Sequence, residues 1–340
     1  MPTLPWPPIV PFASESIDVG EGHALHLAQC GAPAGRPVLL LHGGPGAGYT
    51  SAQLRLFDPA RYRTIVFDQR GCARSRPRGE IRANDTSRLV ADIERIRARL
   101  GITRWIVYGG SWGASLAIAW AAAHRDACEA LILRAPFLTG DADLDWFFGG
   151  AGALLPDRWA SLSATLGLDL DPVRPGSGLR VLARLCTAML DDPGPTGCPP
   201  ALACAAWAAW EAAVSRPGAA ADPSPAPSAD DASTVAPAGS NLIDYYRVQA
   251  HYLRHRCFLG EAALIGAAGR LAGLEVHILQ GRLDWICRPI NAFRLAAAIH
   301  GARLHWAAQG GHSQFDAPML EGLATAMKAI ESGARSALGD

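Results

Sequence analysis

The sequence lacks an excess of charge of either sign. Its 31 basic and 31 acidic residues balance, and charged residues make up only 18% of its 340 positions. No basic block interrupts this balance, so the surface has no feature that attracts polyanions. We therefore expect neither nucleic acid nor an anionic membrane surface as a partner.

Long apolar runs are also missing. No stretch approaches the roughly 20 apolar residues that a helix needs to cross a bilayer. The apolar start, MPTLPWPPIVPF, carries no cationic residue and is interrupted by prolines, which is not the pattern of a signal peptide. Together with scattered cysteines that indicate reduced thiols, these features predict a cytoplasmic protein.

The cysteines lack the spacings of a metal site. None of the eight forms a C-x-x-C pair or lies near histidines at zinc-binding spacing. Scattered cysteines in a chain of this size indicate buried, reduced thiols, with a bridge between Cys198 and Cys204 as the main alternative. We expect no metal and no other cofactor.

What the sequence does contain is an alternation of short apolar runs with helical patterns. Two strand-like segments near the start predict a hairpin, and the later strand candidates are apolar on both faces. This pattern predicts an α/β fold with a mostly parallel central sheet flanked by helices. The segments that carry it are RPVLLLHG, YRTIVFDQ, SRLVADIERIRARLG, RWIVYGG, SWGASLAIAWAAAH, EALILRAP, LEVHILQG, NAFRLAAAIHG, ARLHWAAQ and LEGLATAMKAIESGARSAL.

The alternation stops after Pro136 and resumes near residue 259. Residues 139–258 are helical and rich in Trp and Ala, which predicts a helical cap inserted after the sixth strand. The core then comprises residues 1–138 and 259–340. Within the cap, residues 216–240 consist almost wholly of Pro, Ala, Ser, Asp and Gly, so we expect a mobile loop there.

The motif GGSWG (109–113) places Ser111 between a strand and a helix. This is the G-x-S-x-G nucleophile elbow, in which residues without a Cβ allow the serine to occupy a tight, strained turn. The helix that follows directs its amino-terminal N–H groups at the site. A structural turn serine is the alternative, but the strand before and the helix after favour a nucleophile.

A serine hydroxyl needs a base, and the base needs an orienting acid. In this fold they follow the serine in the order Asp, His, each after a later strand. Asp284 follows LEVHILQG, and His312 lies in a glycine-rich loop after ARLHWAAQ. His300 and His305 lie in a helix end and a strand, and Asp316 is too close to His312 in the same loop.

The loop HGGPG (42–46) is the candidate oxyanion site. The backbone N–H of Gly44, two residues after His42, is predicted to face the developing oxyanion together with the N–H of Trp112. Pro45 has no N–H and can only stiffen the loop. The loop lacks the lysine of a P-loop, which argues against phosphate binding, and we interpret His42 as structural.

Taken together, the motifs resemble those of the proline iminopeptidase (prolyl aminopeptidase) family of α/β-hydrolases. The resemblance runs from about residue 5 to 330 and rests on HGGPG, DQRGCARS, GGSWGASLA, LRAPF, WAAWE, GRLDWICRP and GGHS. It implies the α/β-hydrolase fold and a metal-free serine peptidase that releases amino-terminal proline from short peptides. It also carries the triad over onto Ser111, Asp284 and His312.

The resemblance further implies substrate-binding residues in the cap, and here the chain departs from the family. The W-x-x-W-E motif places an amine-binding carboxylate at Glu211, but the second expected glutamate is Gln249 in RVQAHYL. Phe137 and Phe147 match the aromatic proline pocket, whereas Leu253 replaces an aromatic residue. Each of these residues also has a purely structural interpretation. Glu211 would then be a solvated residue, and the two phenylalanines would pack between the domains. Trp207 and Trp210 are interpreted as core residues of the cap.

These observations predict a serine hydrolase that cleaves an amino-terminal proline or similar small residue through an acyl-enzyme. The change at Gln249 favours an alternative, a relative that hydrolyses or transfers another small amide or ester acyl group, for example in secondary metabolism. A non-catalytic binding protein on the same fold is the alternative from another class. The expected partner is a small molecule or short peptide, and the oligomeric state stays open.

Overall fold

The computed structural model describes residues 5–191, 194, 197–215 and 240–333, and within them eight strands form one sheet. The sheet has the order β1-β2-β4-β3-β5-β6-β7-β8. The strands are β1 Ala13–Gly20, β2 His23–Gly31, β3 Arg36–Leu41, β4 Tyr62–Phe67, β5 Trp105–Gly110, β6 Cys128–Arg134, β7 Glu275–Gly281 and β8 Arg303–Ala307.

Strand direction follows the sequence pattern. β1 and β2 form the predicted antiparallel hairpin, and β2 also pairs antiparallel with β4. All pairings from β4 through β8 are parallel. The strands β3 and β5, in the middle of the sheet, have almost no exposed residue, as expected for strands covered by helices on both faces.

Ten α-helices are found in the described part of the chain. They are α1 Thr86–Arg99, α2 Trp112–Ala123, α3 Asp141–Phe148, α4 Pro156–Thr165, α5 Ser177–Leu190, α6 Pro200–Ser215, α7 Ser240–Arg254, α8 Gly260–Gly269, α9 Pro289–Ala298 and α10 Ala317–Ser332. None of these helices is long and apolar enough to cross a membrane, in the part of the chain that was searched.

The helices that flank the sheet have the ends that their sequences predict. α1 begins at the side chain of Asp85, which accepts a hydrogen bond from the Arg88 N–H, and Gly101 with φ +64° follows its end. α2 is apolar on all sides and is almost fully buried, because it packs between the sheet and neighbouring helices. The helix after the nucleophile is therefore anchored by the core.

Between β6 and β7 the chain forms α3–α7 before it returns to the sheet at α8 and β7. No strand occurs in the described residues of this stretch, which we call the helical insertion. Positive φ angles mark both of its ends: +47° at Ala135 and +62° at Thr139, then +51° to +56° over residues 256–258. Of the predicted 216–240 loop, residues 216–239 lie outside the described residues, and α7 begins at Ser240.

The boundaries of the last helix differ from the prediction. The sequence pattern places it over residues 320–338, but it begins at Ala317 and ends at Ser332. Pro318 is compatible with the first helical turn, because the N–H that it lacks has no partner there. Gly333 adopts φ +63° and ends the helix in a left-handed conformation.

Candidate active site

Ser111 occupies the sharp corner between β5 and α2. Its backbone has φ +56° and ψ −122°, a conformation that is strained for a residue with a Cβ. The Ser111 N–H donates to the carbonyl oxygen of Arg134 at 2.8 Å, which ties the corner to the end of β6. The side chain therefore lies above the carboxyl ends of the parallel strands, where α/β folds bind ligands.

Glycines make this corner possible. A Cβ on Gly109 would overlap the carbonyl oxygen of Gly113, and one on Gly113 would overlap that of Leu41. The loop after β3 also approaches the serine, since a Cβ built on Gly43 would lie 3.3 Å from the Ser111 Cβ. The elbow and the HGGPG loop therefore pack together because neither has side chains in between.

His312 and Asp284 form a hydrogen-bonded pair. The Nδ1 of His312 lies 2.9 Å from the Oδ2 of Asp284, and both side chains are buried. The other oxygen, Oδ1, accepts from the backbone N–H groups of Ile286 and Cys287, each at 2.9 Å. These contacts fix the carboxylate, which in turn orients the imidazole so that Nε2 is directed away from Asp284.

The other candidates for the acid and the base have different hydrogen-bond partners. Asp316 accepts a hydrogen bond from the Gly311 N–H at 2.7 Å and lies at the start of α10, so it shapes the loop rather than contacting the imidazole. His305 is paired with His277 at 2.9 Å within the β7–β8 strand pair. Of the candidates, only Asp284 contacts the His312 ring.

Ser111 and His312 line the same cavity but are not hydrogen-bonded to each other in the described structure. The Ser111 Oγ lies 3.7 Å from the Sγ of Cys287, and the His312 Nε2 lies 3.5 Å from the Nη1 of Arg134. Burial and the Asp284 carboxylate raise the pKa of the Cys287 thiol well above its usual range. The neighbour of the Ser111 hydroxyl is therefore a neutral thiol rather than a thiolate.

Hydrogen bonds of His42 and Gln69 hold the HGGPG loop in place. The Nε2 of His42 accepts from the Gln69 backbone N–H at 3.0 Å, and the Gln69 side chain donates to the His42 carbonyl at 3.0 Å. Gln69 also accepts from the indole N–H of Trp112 at 2.9 Å, which links the loop to the first residue of α2. His42 therefore supports the loop, and Gly44 lines the cavity.

The cavity above Ser111 has a volume of about 180 Å³ and lies between the core and the helical insertion. Eight of the ten predicted site residues line it. The other two adjoin a lining residue: Asp284 is hydrogen-bonded to His312, and Trp112 follows Ser111 in the chain. The predicted lining residues are Gly44, Ser111, Phe137, Phe147, Glu211, Gln249, Leu253 and His312.

Glu211 is the carboxylate at the end of the cavity formed by the helical insertion. Its Oε2 accepts from the Tyr246 hydroxyl at 2.6 Å, and its Oε1 accepts from the Gln249 Nε2 at 3.0 Å. Burial raises the pKa of this carboxyl above its usual value, although both hydrogen bonds lower it. Among the described residues no cation pairs with Glu211, and its charge faces the cavity.

Gln249 contributes an unpartnered acceptor to the same end. It is only 3% exposed, and its Oε1 has no hydrogen-bond partner in the structure. Because the amide N–H₂ points to the Glu211 carboxylate, the oxygen is left for another donor. Leu253 is buried and provides no aromatic face at its position, while Phe137, Phe147 and Tyr245 line the same cavity.

The structure also bears on the predictions for the tryptophans and the cysteines. Trp207 and Trp210 are buried and do not line the cavity, so they are core residues of the helical insertion. All eight cysteines are free and buried, so Cys198 and Cys204 are not bridged. The described residues contain no group of three or more His, Cys, Asp or Glu side chains that could hold a metal ion.

Three residues of the site were not singled out from the sequence. Arg134 and Cys287 lie within the quoted motifs LRAPF and GRLDWICRP, and Gln69 lies within DQRGCARS. Their position inside these motifs was the available signal, but nothing in the sequence indicated that Arg134 and Cys287 line the cavity or that Gln69 links the HGGPG loop to Trp112. The contacts of Arg134 and Cys287 depend on how the ends of β6 and β7 meet.

Comparison with known proteins shows the family to which the chain belongs. A family model described as the alpha/beta hydrolase fold matches residues 36–169. The chain is 35% identical to the proline iminopeptidase of Xanthomonas citri over 323 residues, which cover 94% of this chain and 97% of that protein. It is 34% identical to the proline iminopeptidase of Arabidopsis thaliana, covering 90% of this chain and 76% of that protein.

Solved structures support the fold. The proline iminopeptidase-related protein of Thermus thermophilus superposes with a TM-score of 0.56 at 20% identity and covers 94% of this chain and 98% of that one. An esterase from Rhodococcus superposes with a TM-score of 0.54 at 18% identity, covering 96% and 99% of the two chains. The predicted α/β-hydrolase fold is thus confirmed, and the chain is a hydrolase that belongs to the proline iminopeptidase family.

Proposed function

We propose that this protein is a serine aminopeptidase that releases an amino-terminal proline, or a similar small residue, from short peptides or amides. One observation carries the proposal: a single cavity is lined by Ser111 and His312 from the core and by the Glu211 carboxylate from α6 of the helical insertion. A nucleophile and a carboxylate that line one cavity suit a substrate whose free amine is close to the bond that is cut. The named relatives support this assignment.

In this mechanism Ser111 is the nucleophile, His312 the base and Asp284 the orienting acid. The Ser111 Oγ bonds to the carbonyl carbon while its proton passes to the Nε2 of His312. Asp284 accepts the Nδ1–H and stabilises the imidazolium that forms. Catalytic hydrogen bonds often tighten only when substrate is bound, so the contacts of Ser111 and His312 with Cys287 and Arg134 are compatible with this role.

The tetrahedral intermediate then collapses in the usual two stages. The carbon–nitrogen bond breaks, and the proton on Nε2 passes to the leaving amine, which leaves an ester on Ser111. Water adds to that ester and gives its proton to His312, and the second collapse returns a proton to Ser111 and releases the acid. The N–H groups of Gly44 and Trp112 are proposed to stabilise the oxyanion in both stages.

Residues 139–258 are proposed to act as the cap that selects substrate. Glu211 binds the substrate ammonium, since a buried carboxylate stabilises a cation by charge and by hydrogen bonds. The Gln249 Oε1 is a second acceptor without charge, while Phe137, Phe147 and Leu253 surround the proline ring. We also infer a cytoplasmic location, because eight free cysteines fit a reducing compartment.

A second candidate function rests on Gln249. An amide where the family pattern has a carboxylate weakens the selection for a charged amine. This favours a relative that acts on, or transfers, another small amide or ester acyl group.

A panel of substrates tests the proposal. We expect pure protein to cleave proline anilide faster than alanine anilide, and both far faster than N-acetylproline anilide or a simple aryl ester. Equal rates with free and acetylated amino termini would contradict the aminopeptidase and favour the second candidate. A missing reaction with every substrate, together with no labelling by a fluorophosphonate, would favour a binding protein.

A further inference from the structure

Arg134 is a buried cation at the core end of the cavity. It ends β6, is 7% exposed and lines the cavity beside Ser111. Its Nη1 donates to the carbonyl oxygen of His312 at 2.8 Å and lies 3.5 Å from the Nε2 of the same residue. The guanidinium is therefore next to the atom that must exchange protons with the substrate.

This guanidinium has no carboxylate partner among the described residues. Arg70, the other deeply buried arginine, bonds both oxygens of Asp92 and also Glu21. By contrast, the Nε of Arg134 has no hydrogen-bond partner at all. Asp284 has Oδ1 and Oδ2 occupied by backbone N–H groups and by the His312 ring, and Asp143, which lines the same cavity, is paired with Arg288. Burying an unpaired charge is costly, so a ligand anion that pairs with Arg134 gains much.

The position of Arg134 corresponds to the leaving side of the bond that is cut. The amine that leaves must approach the His312 Nε2 to about 3 Å to receive its proton. In an unblocked dipeptide, the carboxylate carbon is only two covalent bonds of about 1.5 Å each from that amine nitrogen. A carboxylate at this place lies within reach of the Arg134 guanidinium, which matches carboxylates in a bidentate geometry.

We propose that Arg134 forms a carboxylate-binding subsite for the residue after the cleaved bond, so that free dipeptides are the preferred substrates. The inference rests on the proposed function, because it uses the same nucleophile and the same amine site. Glu211 and Arg134 then stand at opposite ends of one cavity and bind the ammonium and the carboxylate of one small zwitterion. Longer peptides and amides lack a carboxylate at that position.

The test compares substrates that differ only in the terminal carboxylate. We measure kcat/KM of the full-length enzyme for Pro-Gly, its amide Pro-Gly-NH₂ and the tripeptide Pro-Gly-Gly. Loss of a hydrogen-bonded charge pair corresponds to about 10- to 100-fold, so we expect Pro-Gly to exceed both others by that factor. Arg134→Gln should bring the ratio of kcat/KM for Pro-Gly to that for the other two substrates close to one. Arg134→Lys should retain part of the preference, because lysine keeps the positive charge but lacks the paired N–H donors of the guanidinium.

The outcomes separate this proposal from the proposed function. Cleavage of all three at equal kcat/KM by the wild type overturns the subsite and leaves the aminopeptidase intact, whereas cleavage of none contradicts the aminopeptidase. A wild-type preference that survives in Arg134→Gln means that another group binds the carboxylate. An equal fall for every substrate in Arg134→Gln makes Arg134 only a positioning residue.

The same carboxylate chemistry has a second source, the acid product released from Ser111. Inhibition of the wild type and of Arg134→Gln by free proline separates the two sources. When Arg134 is replaced by Gln, the proposal predicts a much larger change in the ratio of kcat/KM for Pro-Gly to that for Pro-Gly-NH₂ than in the inhibition constant of proline. The reverse result overturns it.

Discussion

At the core end of the cavity, Ser111 and Asp284 are held by backbone contacts and the His312 ring by the Asp284 carboxylate, whereas on the helical insertion Glu211 is held by side chains of α7. The Ser111 N–H bonds to the end of β6, and Asp284 accepts from two backbone N–H groups. Glu211 instead contacts the side chains of Tyr246 and Gln249. A single substitution on α7 therefore alters the contacts of Glu211 directly, whereas the backbone contacts that hold Ser111 and Asp284 do not depend on a neighbouring side chain.

This contrast explains where the chain departs from its family. The elbow, the acid and the base follow the family pattern, while the departures at Gln249 and Leu253 both lie on α7. A helix tolerates a new side chain on its cavity face without rearrangement of the sheet.

The largest effect should come from Asp284→Asn. The amide leaves the geometry similar but cannot stabilise the imidazolium, and loss of the corresponding charge in a Ser–His–Asp triad lowers kcat by about 10⁴-fold. The matched control is Asp316→Asn, which removes the charge of the rival acid in the same region and should change kcat by less than about tenfold. A larger loss in the control would reverse the assignment of the acid.

Next in size is Glu211→Gln, which removes the charge at the amine end. We expect kcat/KM for proline anilide to fall by about 100-fold, because an ammonium would lose the carboxylate proposed to bind it; Asp143, the other carboxylate that lines the cavity, is already paired with Arg288. Hydrolysis of an aryl ester without an amine should change little. The control is Glu261→Gln, which alters a glutamate paired with Arg294. If Glu211→Gln lowered kcat/KM equally for proline anilide and for the aryl ester, Glu211 would be structural.

Gln249→Glu should have the opposite sign. A second carboxylate beside the substrate ammonium is expected to raise the preference for proline anilide over N-acetylproline anilide by about tenfold. The gain is limited because the new charge also repels Glu211. An unchanged kcat/KM for both substrates would mean that position 249 does not contact the amine.

The smallest effect concerns pH. Because burial raises the pKa of Glu211, its carboxylate is lost at a higher pH than that of an exposed glutamate as the solution is acidified. The KM for proline anilide should therefore rise several-fold on mild acidification, while the KM for the aryl ester stays constant. A parallel rise for both substrates would locate the titrating group outside the amine site.

Much of the core end could be predicted from the sequence because its residues follow local rules. The elbow needs glycines at fixed spacing, and Asp284 and His312 each follow a strand in a fixed chain order. The sheet was predictable for the same reason, since β5 and β6 are apolar on both faces. Local sequence thus specified both the strands and what their ends carry.

The remaining features depend on contacts between distant segments. Arg134 faces His312 across 178 positions of sequence, and no local pattern distinguishes it from an arginine that simply ends a strand. The orientation of Gln249 depends on Glu211, which lies 38 positions away on α6. The start of α10 at Ala317 was missed because Pro318 resembles a break but is compatible with a first turn.

The central claim is that Ser111 is a nucleophile activated by His312, and active-site labelling tests it most directly. The wild type, Ser111→Ala and the control Ser115→Ala, which changes a buried serine one turn further along α2, are treated with a fluorophosphonate. We then measure the mass of each intact protein. The account predicts one adduct on the wild type and on Ser115→Ala, and none on Ser111→Ala. An unlabelled wild type, or equal labelling of Ser111→Ala, would contradict it.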